Sequence, residues 1–478
     1  MPMKHLIIAV VAVGALFQFA GMFWSSGNHL PEVALAKFLE APQRSIDNPY
    51  HNGYFYLFGL TASASLDPAK TGYEIWVEES AESRRARLDQ ARSSRSDLGL
   101  AIPGELTLAA WESDEPLSEF RKNIAALQTT TGHYQSLLTR YEHWLGMPFE
   151  DWGFGHRVAP LHQAIMATHQ LFIAQGFSLG TLQGLERLRK ELQFWRMVLR
   201  DAKTIGTKVF AQVVITDDLQ LLSRILAKPT VDKAILTMGL QLTLPLSESE
   251  YSLRWPIRNQ LALAVKEGRS RDFQSTSVKT LHGSEDEWLL NAAHLPPHAF
   301  DGIEHPRAPS MLGITFRSAH TWNTYAAYYD ALIKASESGT KNLPRMREVT
   351  GIIQRSMVES LVNPRPLEPD WEIFHRQLIE TDTRLRLASL QIQLRRPSAQ
   401  TAVPTRLAEV GSQYFDPFTG LPMLWSPTQQ KLYSVGKDRL DDGGDPTFDI
   451  SVPAIVAQTQ PAAKDTVPAS TSPRTTRR

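Results

Sequence analysis

Leu185–Leu199 reads LERLRKELQFWRMVL. Leu185, Leu188, Leu192, Trp195 and Leu199 recur at steps of three and four residues. At 3.6 residues per turn they fall on one stripe, which implies an amphipathic helix with that stripe against a core. The same step pattern joins Leu117, Phe120, Ile124 and Leu127, so residues 113–230 are expected to be a run of helices. Gly176–Gly180 interrupts the run as the loop of an αα-hairpin would. Asp217-Asp218, just before Leu219–Leu226, reads as an N-cap. Helical stretches at about 255–267, 321–336, 343–362 and 368–395 extend the pattern downstream, and the Pro-, His- and Gly-rich residues 270–320 are expected to be mostly loop. Pro364, Pro366 and Pro369 mark a break before the last long helix. The expected fold class is mainly α.

Composition narrows the function classes. The chain has 478 residues, enough for more than one core, and 42% hydrophobic with 21% charged residues is a globular balance. Lys plus Arg equals Asp plus Glu at 50 each, which argues against a general nucleic-acid binder. Cysteine is absent, which excludes disulfides, thiolate metal sites and a cysteine nucleophile.

The N-terminal run Leu6–Trp24, LIIAVVAVGALFQFAGMFW, is apolar apart from Gln18. At about 1.5 Å per residue it reaches roughly 28 Å, one bilayer crossing. Lys4 precedes it, so the positive-inside rule puts residues 1–5 in the cytoplasm and everything after Trp24 outside. A cleaved signal peptide is the rival reading, but the run ends in Met22-Phe23-Trp24 and not in small residues, which suits a retained anchor. After the anchor, Asn48–Leu60 (NPYHNGYFYLFGL) is dense in aromatics and reads as core more readily than as a membrane-interface belt. Arg84, Arg85, Arg87, Arg92 and Arg95 read as a solvated face, with contact to anionic headgroups as the alternative.

Near the other end, Asp416–Ile450 reads DPFTGLPMLWSPTQQKLYSVGKDRLDDGGDPTFDI. Leu432, Tyr433 and Val435 are strand formers running into a glycine turn. Asp438, Asp441, Asp442, Asp445 and Asp449 crowd carboxylates into one short loop. Such a cluster repels itself unless it is solvated or neutralised by a cation, and a Gly-rich loop lets carboxylate and carbonyl oxygens converge on Ca²⁺. An acidic turn exposed to water is the alternative.

This segment resembles the periplasmic end of the major pseudopilins of type II secretion systems. Asp416-Pro417 with Gly420 and Pro422, then Leu432–Gly436, then Asp441–Asp445 with Asp449-Ile450 match that family's phrases in order, behind a long helix at about 368–395. The resemblance covers roughly 80 residues, and implies a small α+β head and a calcium ion held by the acidic loop. The chain departs from the family elsewhere. No Gly-Phe pair precedes the apolar run, which also lacks the early Glu, and several hundred residues separate the run from the head. The chain is thus similar to larger membrane-anchored bacterial proteins that end in a pseudopilin-like module. The expected division is residues 1–5 cytoplasmic, 6–24 transmembrane, 25–367 a mainly helical periplasmic domain, 368–452 the pseudopilin-like module and 453–478 a disordered tail.

Catalytic signals are sparse. Gly176–Gly180 (GFSLG) fits G-x-S-x-G with Ser178 in the nucleophile position, but that elbow needs a strand before it and His162–Phe172 reads as helix. His294, His298 and His305 lie close enough in sequence to suggest zinc, yet Pro296-Pro297 precludes a helical pair. His162 and His169 read as ordinary helix-face residues, and the adjacent Glu150-Asp151 point different ways. The expected function is therefore a single-pass inner-membrane protein with its bulk in the periplasm. It would be a non-catalytic interaction or assembly protein of the cell envelope, linked to secretion or a pilus-like system, with protein partners there. A membrane-tethered serine or metal-dependent hydrolase is the alternative.

Overall fold

The computed structural model describes residues 36, 38–77, 110–111, 113–156, 160, 162–269, 292–294, 319–338, 343, 371–395 and 402–455. They form a mainly α body with a small antiparallel sheet near the C-terminus. Leu6–Trp24, the arginines between 84 and 95, His298, His305 and the stretch 344–370 lie outside these residues. Among the described residues no helix is long and apolar enough to cross a membrane.

The aromatic stretch is core. Helix α1 (Gly53–Phe58) and α2 (Pro68–Val77) cross closely, and Tyr54, Phe55, Tyr56, Leu57 and Phe58 are all buried. The crossing needs glycine. A Cβ on Gly72 would sit 1.8 Å from the Phe55 carbonyl oxygen, and one on Gly59 would sit 2.0 Å from that of Pro68. Phe55 packs edge-on against Tyr73, Trp76 and Trp152. Glu150 and Asp151 staple this region. Glu150 accepts from the Ser45 and Ile46 amides, and Asp151 from those of Gly153 and Lys203.

Helices α3 (Pro116–Lys122), α4 (Ile124–His133) and α5 (Gln135–Trp144) lead into the central hairpins α6 (His162–Leu179), α7 (Thr181–Asp201) and α8 (Ile205–Leu226). The α7 stripe is buried as its spacing implies, with Leu188, Leu192 and Leu199 at zero exposure. The α6–α7 link is tighter than the sequence suggests. Helix α6 runs through Ser178 and turns at Gly180 alone, and Gly184 lets α7 lie on the Phe177 ring. Helix α8 is capped by Thr204, whose Oγ1 accepts from the Thr207 amide at 3.1 Å. Asp217 and Asp218 therefore do not begin a helix. They lie in the interior of α8, where thirteen helical residues already precede Asp218 and the N-cap role falls to Thr204.

After α9 (Lys233–Leu242), α10 (Glu248–Tyr251), α11 (Arg254–Arg269) and α12 (Ala319–Glu337), the long helix α13 (Trp371–Gln393) packs against α8 and α9. Short α14 (Val403–Glu409) then leads to the sheet, β1 (Leu424–Ser426), β2 (Lys431–Ser434) and β3 (Ile450–Pro453) in that order. Trp425 pairs with Leu432, and Tyr433 with Ser451. Strands β2 and β3 lie on α13, and one apolar cluster runs from Leu221 and Leu222 of α8 through Leu387 and Leu390 of α13 to Leu432 and Val452 of the sheet. Gln391 stitches this junction by donating to the carbonyls of Ser223 and Pro453. Pro453 ends β3, and Ala454 is buried with its amide donating to the Gln430 carbonyl, so order continues past the expected start of the tail.

Candidate binding cleft and the buried charge cluster behind it

Helices α6, α8 and α13 diverge along one side and leave a cleft of about 720 Å³. Its walls mix polar side chains with apolar ones such as Met166, Val213 and Ile373. Gln170 from α6, Gln212 and Asp217 from α8, and Glu380 and Arg384 from α13 line it, and Lys437 reaches its edge from the turn after β2. Thr216 and Thr381 approach across it, with their hydroxyls 3.4 Å apart. Gln212 is 7% exposed and Gln170 9%. Gln170 donates to Asp217 Oδ2 at 3.3 Å, whereas the Gln212 side chain makes no hydrogen bond to another described residue. Burial holds the Arg384 guanidinium below its ordinary range, partly offset by Glu380 one turn away. A smaller cavity of about 210 Å³ shares Arg376 and Lys437 with the cleft.

Behind the cleft wall lies a cluster of charges in which His169, Glu191 and Asp218 have no exposure to water. His169 of α6 has zero side-chain exposure. Its Nδ1 is 3.4 Å from Glu191 Oε2 of α7, and its Nε2 is 3.5 Å from Asp217 Oδ2 and 3.6 Å from Asp218 Oδ1 of α8. Glu191 Oε2 also accepts from Tyr141 Oη at 3.0 Å and Trp195 Nε1 at 2.9 Å. Burial drives the His169 acidity toward the neutral ring, but Asp218 and Glu191, aided by Asp217, outweigh it, and its pKa stands well above 6.5. Burial pushes Asp218 well above the usual carboxylate range, against the opposing pull of His169. Glu191 Oε1 and both Asp218 carboxyl oxygens have no hydrogen-bond partner among the described residues. Asp217 belongs to both places: it lines the cleft and faces His169.

His169 is thus not an ordinary face residue, and neither is His162, which is buried against the Phe210 ring at 4.6 Å. The signal for the cluster was present in the sequence as a histidine on one helix and an acid inside the apolar stripe of the next, Glu191 beside Leu188 and Leu192. No spacing rule ties such residues across three helices.

The other sequence candidates separate. Ser178 occupies the last turn of α6, and its Oγ donates to the Gln175 carbonyl at 2.8 Å. Helix, not strand, precedes it, so the geometry of a nucleophile elbow is absent there. His294 reaches the cleft edge, with φ of 52°. In the acidic loop the carboxylates first serve the loop itself. Asp438 accepts from the Leu440 amide, Asp441 from Gly443 and from Tyr433 Oη, Asp445 from Thr447, and Asp449 Oδ2 from Gly444 at 2.7 Å. Gly443 and Gly444 take φ of 72° and 87°, which the turn requires. Asp449 Oδ1 is buried without a partner among the described residues, and burial followed by the charges of Asp442 and Asp441 raises the pKa of its carboxyl. An orphaned anionic oxygen beside further carboxylates is donor chemistry that suits a hard cation. Among the described residues no group of three or more His, Asp or Glu side chains is gathered as a donor set, so carbonyls and water would supply the remaining oxygens.

No family model matches this chain, and no curated protein or solved structure matches it.

Proposed function

We propose that the protein is a single-pass, inner-membrane-anchored envelope protein, anchored through Leu6–Trp24. Its mainly helical periplasmic body carries a pseudopilin-like head, and it acts as a non-catalytic interaction or assembly component of a secretion or pilus-like system. The observation that carries this reading is the place of α13. The head's strands β2 and β3 rest on that helix, in the helix-then-sheet order of the resemblance. The same helix is also covered by α8 and α9. A stem covered by its own chain's helices and sheet has less surface to pack against neighbouring stems, so the chain serves as a partner of an assembly and not as its repeating subunit. The loop Asp438, Asp441, Asp442, Asp445 and Asp449 holds Ca²⁺, which stabilises the folded head because it binds that form in preference to the unfolded chain.

The test has two arms. Alkaline phosphatase fused after residue 455 of the full chain should be active in cells, and inactivity would overturn the topology. Crosslinking the full-length tagged protein in intact cells should recover secretion or pilus components. Recovery at background level would overturn the assembly role. The hydrolase alternative gains nothing from Ser178, whose surroundings are those of a helix end.

A further inference from the structure

The cleft between α6, α8 and α13 has unused hydrogen-bonding capacity in its walls. Gln212 lines the cleft, and its side-chain amide makes no hydrogen bond to another described residue. Arg384 is half-buried in the opposite wall, with Glu380 as its electrostatic neighbour among the described residues. A helix gains nothing by keeping a guanidinium at such a place unless something answers its charge. Lys437 adds an exposed ammonium at the rim, and Arg376 bounds both cavities. Of the acids in the walls, Asp217 is already engaged by Gln170 and His169, and Glu380 lies one turn from Arg384 without an ion pair to it. Arg376 pairs with Glu372, so Arg384 and Lys437 are the lining cations that have no ion-pair partner among the described residues. The described lining holds no aromatic side chain for stacking apart from the His294 imidazole at its edge.

We propose that this cleft binds a small hydrophilic anion, one that bears phosphate or carboxylate groups. Arg384 and Lys437 take its charge and Gln212 takes a neutral polar atom. The volume, about 720 Å³, is in the range of small-molecule sites. Arg384 offers a planar fork for two parallel hydrogen bonds to an oxyanion, whereas Lys437 acts as a point charge. Because Lys437 belongs to the turn after β2 and Arg384 to α13, the site exists only while the C-terminal sheet sits on the helical body. The proposal does not depend on the membrane anchor or on calcium.

The full chain in detergent, titrated calorimetrically with pyrophosphate, with citrate and with glucose, tests this. Saturable binding of pyrophosphate or citrate is expected, and the tighter of the two names the anion class. Lys437→Gln, at an exposed position, should leave the melting temperature unchanged and weaken that binding about tenfold, the loss of one charge-assisted contact. Arg384→Gln should weaken it more. Absence of saturable binding of either anion, equal affinity in wild type and both variants, or glucose binding as tight as the anions would each overturn the proposal.

Discussion

His169 Nδ1 lies 3.4 Å from Glu191 Oε2, and neither side chain has any exposure to water. Two charges held this deep cost several kcal/mol each to desolvate, and their attraction recovers that only while both are present. His169→Gln leaves Glu191 a buried anion with only the Tyr141 and Trp195 donors, and should cost about 3–5 kcal/mol in urea unfolding. Glu191→Gln should cost a similar amount. The double variant should cost clearly less than the sum, because residues in contact couple. Additivity to within about 0.5 kcal/mol would show that the pair contributes nothing as a pair.

The cluster also predicts a pH profile, because a second buried base opposes it. His169 holds its proton more tightly folded than unfolded. Its stabilisation is complete below about 6.5 and is lost as pH rises through its raised folded pKa. Lys208 is 2% exposed with Nζ donating to the Leu199 carbonyl at 2.9 Å, and burial lowers its pKa from 10.5 to about 7. Its charged form therefore penalises the folded state below pH 7, and the penalty fades as pH rises from there towards 10.5. The two trends act in opposite directions over the alkaline range. Lys208→Met should expose the decline, and His169→Gln the rise, in urea midpoints taken from pH 7 to pH 10 at fixed ionic strength. Profiles of the same slope in both variants would rule the assignment out.

Legibility in the sequence followed range. The α7 stripe, the long helix at 371–393 and the strand at 431–434 were readable because each rests on neighbours three, four or two residues away. The N-cap reading of Asp217-Asp218 went wrong for an instructive reason. Paired acids are common at helix starts, and an isolated sequence gives no sign that three helices will converge on them and supply His169 as counter-charge. The cleft was invisible for the same cause, since Gln170, Gln212, Arg384 and Lys437 come from four separate stretches. Ser178 shows the converse, a local motif whose meaning depended on a preceding strand that the chain does not form.

The α1–α2 crossing leaves no room for a side chain at Gly72. Gly72 lies on the inner face of α2, and a methyl group there would overlap the Phe55 carbonyl oxygen at 1.8 Å. That oxygen belongs to backbone and cannot rotate away. Gly72→Ala should therefore separate the two helices and loosen Phe55 from Trp76 and Trp152, at a cost of about 3 kcal/mol. Ala is otherwise the better helix former, so a substitution governed by propensity alone would be stabilising. A raised melting temperature in Gly72→Ala would mean that the crossing is not this close.

Asp449 provides the sharpest test of the acidic loop. Its Oδ2 is held by the Gly444 amide, while Oδ1 is buried, unpartnered and close enough to Asp441 and Asp442 for their charges to raise its pKa. Without a cation that oxygen is a liability, and with one it is a ligand. Asp449→Asn should therefore act in opposite directions under two conditions. In excess calcium it should melt below wild type, because a ligand that stabilises the folded state has been lost. In chelator it should melt at or above wild type, because a buried, repelled charge has been removed. Asp442→Ala, at an exposed position, should abolish the calcium-dependent rise in melting temperature without lowering stability in chelator. If wild type melts at the same temperature in calcium and in chelator, the loop is an acidic turn and Asp449 Oδ1 is answered by water alone.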